Sequence, residues 1–279
     1  MQGRLLPPQN GRFQCFPRDL WRDEFPLAAS AGLDAIEWIY DLHGADVNPI
    51  TTDDGILEIK AISKRHGIGV VSVCADYFMD RPFVMATPNE FSELTGHLRW
   101  LLDRCRQADI SRIVLPFVDG SRMETEEHMH RVAEMLRKLL PYAEAAGVEI
   151  HLETSLGPEM FAAFLGNLPH AFLKVNYDAG NSASLGYDVQ EELAAYGRRI
   201  GSVHIKDRVV RAGTVPLGTG NADIPALLGG LQSISYQGDY VLQVARGEPG
   251  NELDWAKGNL AYLLRLLERA SCPSNVKRQ

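Results

Sequence analysis

Glu153, Asp178, His204 and Gln243 stand near the ends of successive short apolar runs, residues 148–153, 172–178, 200–204 and 240–243. Glu, Asp and His are hard or borderline ligands for a divalent ion, and three of them meeting in space form an open metal site. Gln243 is of a different kind. A carboxylate there would both ligate and move protons, whereas an amide only ligates or hydrogen-bonds. One acid at the end of a strand is usually half of a structural ion pair. Three ligand types at the same end of consecutive strands reverse that reading, because gathered carboxylates repel one another unless a cation joins them.

The elements that must position these residues alternate. Strand-like segments cover residues 1–5, 36–40, 70–75, 113–117, 148–154, 172–177, 200–205 and 240–244. Between them, residues 21–31, 55–66, 90–108, 125–146, 189–196, 222–232 and 253–270 place apolar side chains at i, i+3, i+4 spacing, and residues 158–165 read as one short helix. Gly32, Gly67 and Gly147 each follow a helix and lead into a strand, as a left-handed cap requires. Repeated joints of this kind predict parallel strands with right-handed crossovers. Eight such units predict a single closed (β/α)8 TIM barrel over residues 1–270, with a disordered tail at 271–279. A doubly wound open sheet competes, but no glycine-rich dinucleotide loop follows an early strand. In a barrel, active-site residues sit at the C-terminal strand ends, where the four opening residues fall. Loops at 76–85, 119–123, 179–186 and 206–221 read as functional.

Side chains alternate faces along a strand. His151 therefore shares a face with Glu153, Asn176 with Asp178, and His204 with Lys206. Trp38, next to Glu37, should face outward into the helix layer. The formal net charge of −8 disfavours a reader of phosphate backbones but admits a small anionic substrate held by one or two Lys or Arg. Four scattered cysteines, Cys15, Cys74, Cys105 and Cys272, form no C-x-x-C pair and read as reduced thiols of a cytoplasmic protein. Residues 1–4 show no signal-peptide pattern, and no apolar run reaches the length of a membrane span.

The segments His151-Leu152-Glu153, Asp178-Ala179-Gly180-Asn181, Val203-His204-Ile205-Lys206-Asp207 and Pro216–Gly220 followed by Asp223 resemble the sugar-phosphate isomerase/epimerase family, the xylose-isomerase-like barrels. Residues 32–37 and 72–74 are similar to earlier family segments. The resemblance implies one divalent metal ion, manganese-like or else magnesium or zinc, held by Glu153, Asp178, His204 and the residue at 243. It implies a small-molecule sugar or sugar phosphate as partner, no nucleic acid or membrane, and a homo-oligomer. The family reaction abstracts a proton beside a carbonyl and passes through an enediolate, with glutamates on both faces of the substrate. Gln243 departs from the second glutamate. With Glu153 left as the base, one-base chemistry gains ground, and His151 or Lys206 is a substitute acid. Lys206, Asn181, Arg246, Arg4 and Glu37 are candidates for substrate binding. Glu37 reads more readily as a neighbour of the ligands or half of a core ion pair, and Lys206 equally as an ion-pair partner of Asp207. Gly218 and Gly220 read as shaping a loop around an anion or as only permitting a turn. The aromatic loop 76–83 would cover the sugar or pack on the rim.

The expected function is a metal-dependent sugar or sugar-phosphate isomerase or epimerase. A dehydratase or lyase of a cyclic polyol ketone also fits one-base chemistry. A sugar-binding homologue impaired at Gln243 is the non-enzymatic alternative. An abasic-site endonuclease is disfavoured by eight histidines and the negative charge.

Overall fold

The computed structural model describes residues 1–9 and 11–271. Nine strands are assigned: β1 (Ala35–Ile39), β2 (Gly69–Cys74), β3 (Arg112–Phe117), β4 (Glu149–Thr154), β5 (Leu173–Asp178), β6 (Ile200–Ile205), β7 (Asp207–Arg208), β8 (Thr214–Val215) and β9 (Asp239–Leu242). Seven form a parallel sheet in the order β1-β2-β3-β4-β5-β6-β9, and β7 and β8 pair as a small antiparallel hairpin. The helices are α1 (Glu24–Ala31), α2 (Asp53–His66), α3 (Tyr77–Asp80), α4 (Pro88–Gln107), α5 (Glu126–Ala146), α6 (Pro158–Gly166), α7 (Ala179–Leu185), α8 (Val189–Tyr196), α9 (Ile224–Ser233) and α10 (Glu252–Ser271). Strands and helices alternate around a nearly closed TIM barrel. Among the described residues no helix is long and apolar enough to cross a membrane.

The expected first strand is reduced to a bridge. Gln2 N–H donates to the Leu242 carbonyl at 3.1 Å and Glu37 N–H to the Met1 carbonyl at 2.9 Å, so residues 1–2 join β9 to β1. Gly3 then adopts φ 54°, which leaves the extended region and ends the run. The loops expected at 179–186 and 206–221 contain α7 and the β7–β8 hairpin. The polar, small-residue sequence of α7 lacks an apolar period, and the helix starts because the Asp178 side chain accepts from Asn181 N–H at 2.8 Å. Of the expected tail, Ser271 closes α10, and the rest lies outside the described residues, as does Cys272. Cys15, Cys74 and Cys105 are free and buried.

The helices hold the barrel by their apolar stripes. On α4 and α5, Leu98, Leu101, Val132 and Leu136 are fully buried, each worth about 1.5–3 kcal/mol over exposure. Trp38 faces outward from β1 into a cage of Phe16, Trp21 and Phe25, and its indole donates to Asn48 at 2.9 Å. The aromatic loop packs on the rim: Tyr77, Phe78 and Phe83 are buried, and Tyr77 stacks on His97 with centroids 4.4 Å apart.

Candidate metal centre and active-site cavity

Glu153, Asp178 and His204 stand at or beside the C-terminal ends of β4, β5 and β6, and Asp178 is paired in register with His204. One ligand atom from each lies within 4.8 Å of the others, and all three side chains are buried. His204 is the pivot. Its Nε2 meets Glu37 Oε1 at 2.8 Å, and Ser72 Oγ donates to the other Glu37 oxygen at 2.7 Å. With the ring proton given to Glu37, Nδ1 turns a lone pair toward Glu153 Oε2, 3.2 Å away, and Asp178 Oδ2, 3.7 Å away. That nitrogen is buried, and neither carboxylate meets it in good hydrogen-bond geometry. A lone pair facing two carboxylates is stable only with a positive charge among them. Burial works against a charged His204 ring, but the surrounding carboxylates of Glu37, Asp178 and Glu153 outweigh it and push the imidazole pKa well up. Burial likewise works to raise Asp178, but Lys206 and His204 hold it down at about 2. One imidazole and two carboxylates fit a divalent cation, and Glu37 behind the imidazole fixes its orientation.

Glu153 is oriented by two amides: Asn176 Nδ2 donates to Oε2 at 2.8 Å and Asn181 Nδ2 to Oε1 at 2.6 Å. Arg208 donates to Asn181 Oδ1 at 2.8 Å, which fixes the amide's direction. Gln243 follows β9, and its N–H continues the ladder to the Ile205 carbonyl at 3.1 Å. Its Oε1 accepts from Lys206 Nζ at 2.8 Å, and its Nε2 donates to Gln2 Oε1 at 2.5 Å. Lys206 also reaches Asp178 Oδ2 at 3.4 Å. Glu153, Asn181, Lys206 and Gln243 therefore line one cavity of about 340 Å³, a size suited to a small ligand.

Other expected site residues lie elsewhere. His151 is buried below Glu153, its Nδ1 2.7 Å from Ser202 Oγ and its Nε2 2.8 Å from Glu149 Oε2, and it forms no wall of the cavity. Glu37 lies beneath His204, outside the cavity wall. Arg4 is buried and donates to the Val244 carbonyl at 2.7 Å and to Gln14 Oε1 at 3.2 Å. Arg246 donates to the carbonyls of Phe13, Leu6 and Gly3 at 2.7, 2.8 and 2.9 Å. Arg246 spends its donors on the chain's first residues, and Arg4 divides its own between Val244 and the segment that carries Gln14. Asp207 does not pair with Lys206. Its Oδ2 accepts from Gly218 and Gly220 N–H, each at 2.9 Å, so the glycine loop encloses this carboxylate.

The cavity also has walls the strand-end argument did not name as site residues: Arg12, Phe13, Gln14, Asp41, Cys74, Asp76, Asp119 and Arg208. Asp76 and Asp119 follow β2 and β3 within two residues, so their strand-end position was a usable signal. Phe13 and Gln14 sit in an irregular segment with no pattern to mark them.

Comparison with known proteins matches residues 25–266 to the xylose isomerase-like TIM barrel. L-ribulose-5-phosphate 3-epimerase of Escherichia coli is 24% identical over 266 residues, covering 87% of this chain and 91% of that protein. The structure of D-psicose 3-epimerase with D-tagatose from Clostridium cellulolyticum superposes with a TM-score of 0.70 at 17% identity, over 90% of this chain and 96% of that one. The IOLI protein, solved with a bound zinc atom, superposes with a TM-score of 0.74 at 17% identity, over 91% and 95% of the two chains. With the family match spanning most of its length, the chain belongs to the xylose isomerase-like TIM barrel family.

Proposed function

We propose that this chain is a divalent-metal-dependent isomerase or epimerase of a sugar or sugar phosphate, acting through an enediolate. The observation that carries this reading is the convergence of Glu153 and Asp178 on the buried Nδ1 of His204. The epimerase names of the relatives support it. When held by Glu153, Asp178 and His204, a manganese, magnesium or zinc ion supplies positive charge where a substrate oxygen gains negative charge. Glu153 acts as the base toward the carbon beside the carbonyl, its carboxylate held in one direction by Asn176 and Asn181. Lys206 and Arg208 offer donors along the same cavity wall. Gln243 keeps its oxygen toward Lys206 and neither takes nor gives a proton.

The test is elemental analysis of the purified protein followed by incubation with ketopentoses and their phosphates in deuterium oxide. The expected result is near one metal per chain and deuterium entering the carbon beside the carbonyl. No bound metal overturns the reading. Metal without exchange favours the second reading, a sugar binder impaired by the amide at Gln243.

A further inference from the structure

The amide of Gln243 removes a proton-transfer group from one wall of the cavity, but the same cavity holds a second carboxylic acid. Asp76 lies two residues beyond β2, at the same end of the barrel as Glu153 on β4, with only β3 between their strands. It is held as a built feature. Gln14 Nε2 donates to Asp76 Oδ2 at 2.6 Å, and the Cys74 thiol donates to Oδ1 at 3.2 Å. Arg4 fixes which end of the Gln14 amide faces the acid, because its guanidinium donates to Gln14 Oε1 and thereby turns the NH2 toward Asp76. Arg4 is in turn tied to the Val244 carbonyl. Among the described residues no lysine or arginine forms an ion pair with Asp76, so its bonds are to neutral groups.

The charge environment moves the Asp76 carboxyl toward the range where it can both take and give a proton. Burial pushes Asp76 up to about 6 against the lowering effect of the Gln14 and Cys74 hydrogen bonds, and the carboxylates of Asp41 and Glu153 add to the upward push. The Cys74 thiol is itself pushed well up and stays neutral. Arg4, behind Gln14, is the nearest opposing charge and is separated from Asp76 by the amide. Proton transfer by a positioned side chain is worth about 10²–10⁴-fold in rate, and is most efficient when its pKa lies near the working pH.

We propose that Asp76 is the second proton-transfer group of the site, serving the face of the substrate that Glu153 does not, so that the chain inverts a carbon rather than only isomerising. The inference rests on the proposed metal-dependent reading. Glu153 takes the proton as the C–H bond breaks, and the electron pair enters the enediolate. The Asp76 O–H bond then breaks and a new C–H bond forms on the other face. Glu153 is left protonated and Asp76 ionised, and exchange with water restores both.

The experiment follows one ketose or ketose phosphate that the metal-loaded protein labels in deuterium oxide, scoring label and configuration separately. In Asp76→Asn, inverted product is expected to fall by about 100-fold or more, while label entering with retained configuration stays within about threefold. Metal content and far-ultraviolet circular dichroism report whether the variant folds. Asp76→Ala with added formate is the second variant, and formate should restore inversion where chloride does not. Unchanged inversion in Asp76→Asn overturns the assignment. So does parallel loss of label and inversion at full metal content, or a failure of formate to restore inversion. A wild-type protein that labels the sugar but never inverts it overturns Asp76 alone. One that binds metal and labels no sugar overturns the functional reading, and this inference with it.

Discussion

His204 has different neighbours on its two ring nitrogens, and that asymmetry defines the centre. Glu37 holds Nε2 at 2.8 Å, which leaves Nδ1 for the cation. Losing such a partner typically costs about 10–100-fold in metal affinity. Glu37→Gln should therefore weaken manganese or zinc binding by about that factor in a calorimetric titration, with Glu153, Asp178 and His204 untouched. Gln243→Glu should act in the opposite direction, because it adds a charge beside Lys206 and Asp178, and the same titration should show tighter binding. At this scale the sequence made the cluster of Glu153, Asp178 and His204 legible and left its surroundings obscure. Alternation along β4 reports that His151 and Glu153 point inward, but it carries no information on depth. His151 lies two residues lower, where Ser202 and Glu149 engage both its nitrogens. The same limit applies to Glu37, which faces inward but stops beneath the metal site. Arg4 and Arg246 carried a charge signal only, and carbonyl oxygens satisfy an arginine as well as a phosphate does.

The element that the sequence misdescribes is the first one. Residues 1–2 close the barrel, but residues 3–9 and 11–16 are irregular and are held by side chains from elsewhere. Arg246 clamps the carbonyls of Gly3, Leu6 and Phe13, and Asp41 Oδ2 accepts from Phe16 N–H at 2.8 Å. Periodicity cannot reveal a segment whose hydrogen bonds go to distant side chains. The other strands of the seven-stranded sheet were legible as short apolar runs, and β1, β2 and β4 also by the capping glycines Gly32, Gly67 and Gly147 before them. Arg246→Ala removes three charge-assisted hydrogen bonds at once. It should cost about 2–3 kcal/mol in denaturant unfolding, and backbone hydrogen exchange over residues 3–14 should quicken while that of β3 and β4 stays slow. Because Phe13 and Gln14 are walls of the cavity, the same variant should raise KM more than it lowers kcat.

The stability of the whole barrel carries a pH dependence that has nothing to do with the metal centre. Glu24 opens α1, is only 5% exposed, and burial pushes its carboxyl up from 4.5 to about 7, opposed by the Met1 ammonium and then by Arg246. A carboxyl raised in this way is protonated in the folded barrel at pH values where the unfolded chain has already ionised. The unfolded state then binds fewer protons, so stability from this group is fully present below about pH 4.5 and declines until about pH 7. Above that both states are ionised and the loss is complete, at most about 3 kcal/mol for a shift of this size. Glu24→Gln cannot ionise and should show none of this decline. The amide carries its own burial cost, so the useful quantity is the change with pH rather than the offset at one pH. Unfolding curves of both proteins at about pH 4.5 and about pH 8 supply it. The variant should gain on the wild type by up to about 3 kcal/mol across that interval. The difference cancels shared groups that Glu24 does not touch, His204 and Asp76 included, and leaves the Met1 ammonium, which faces Glu24, as part of the measured change. Parallel pH profiles would show that Glu24 is not protonated inside the folded barrel at neutral pH.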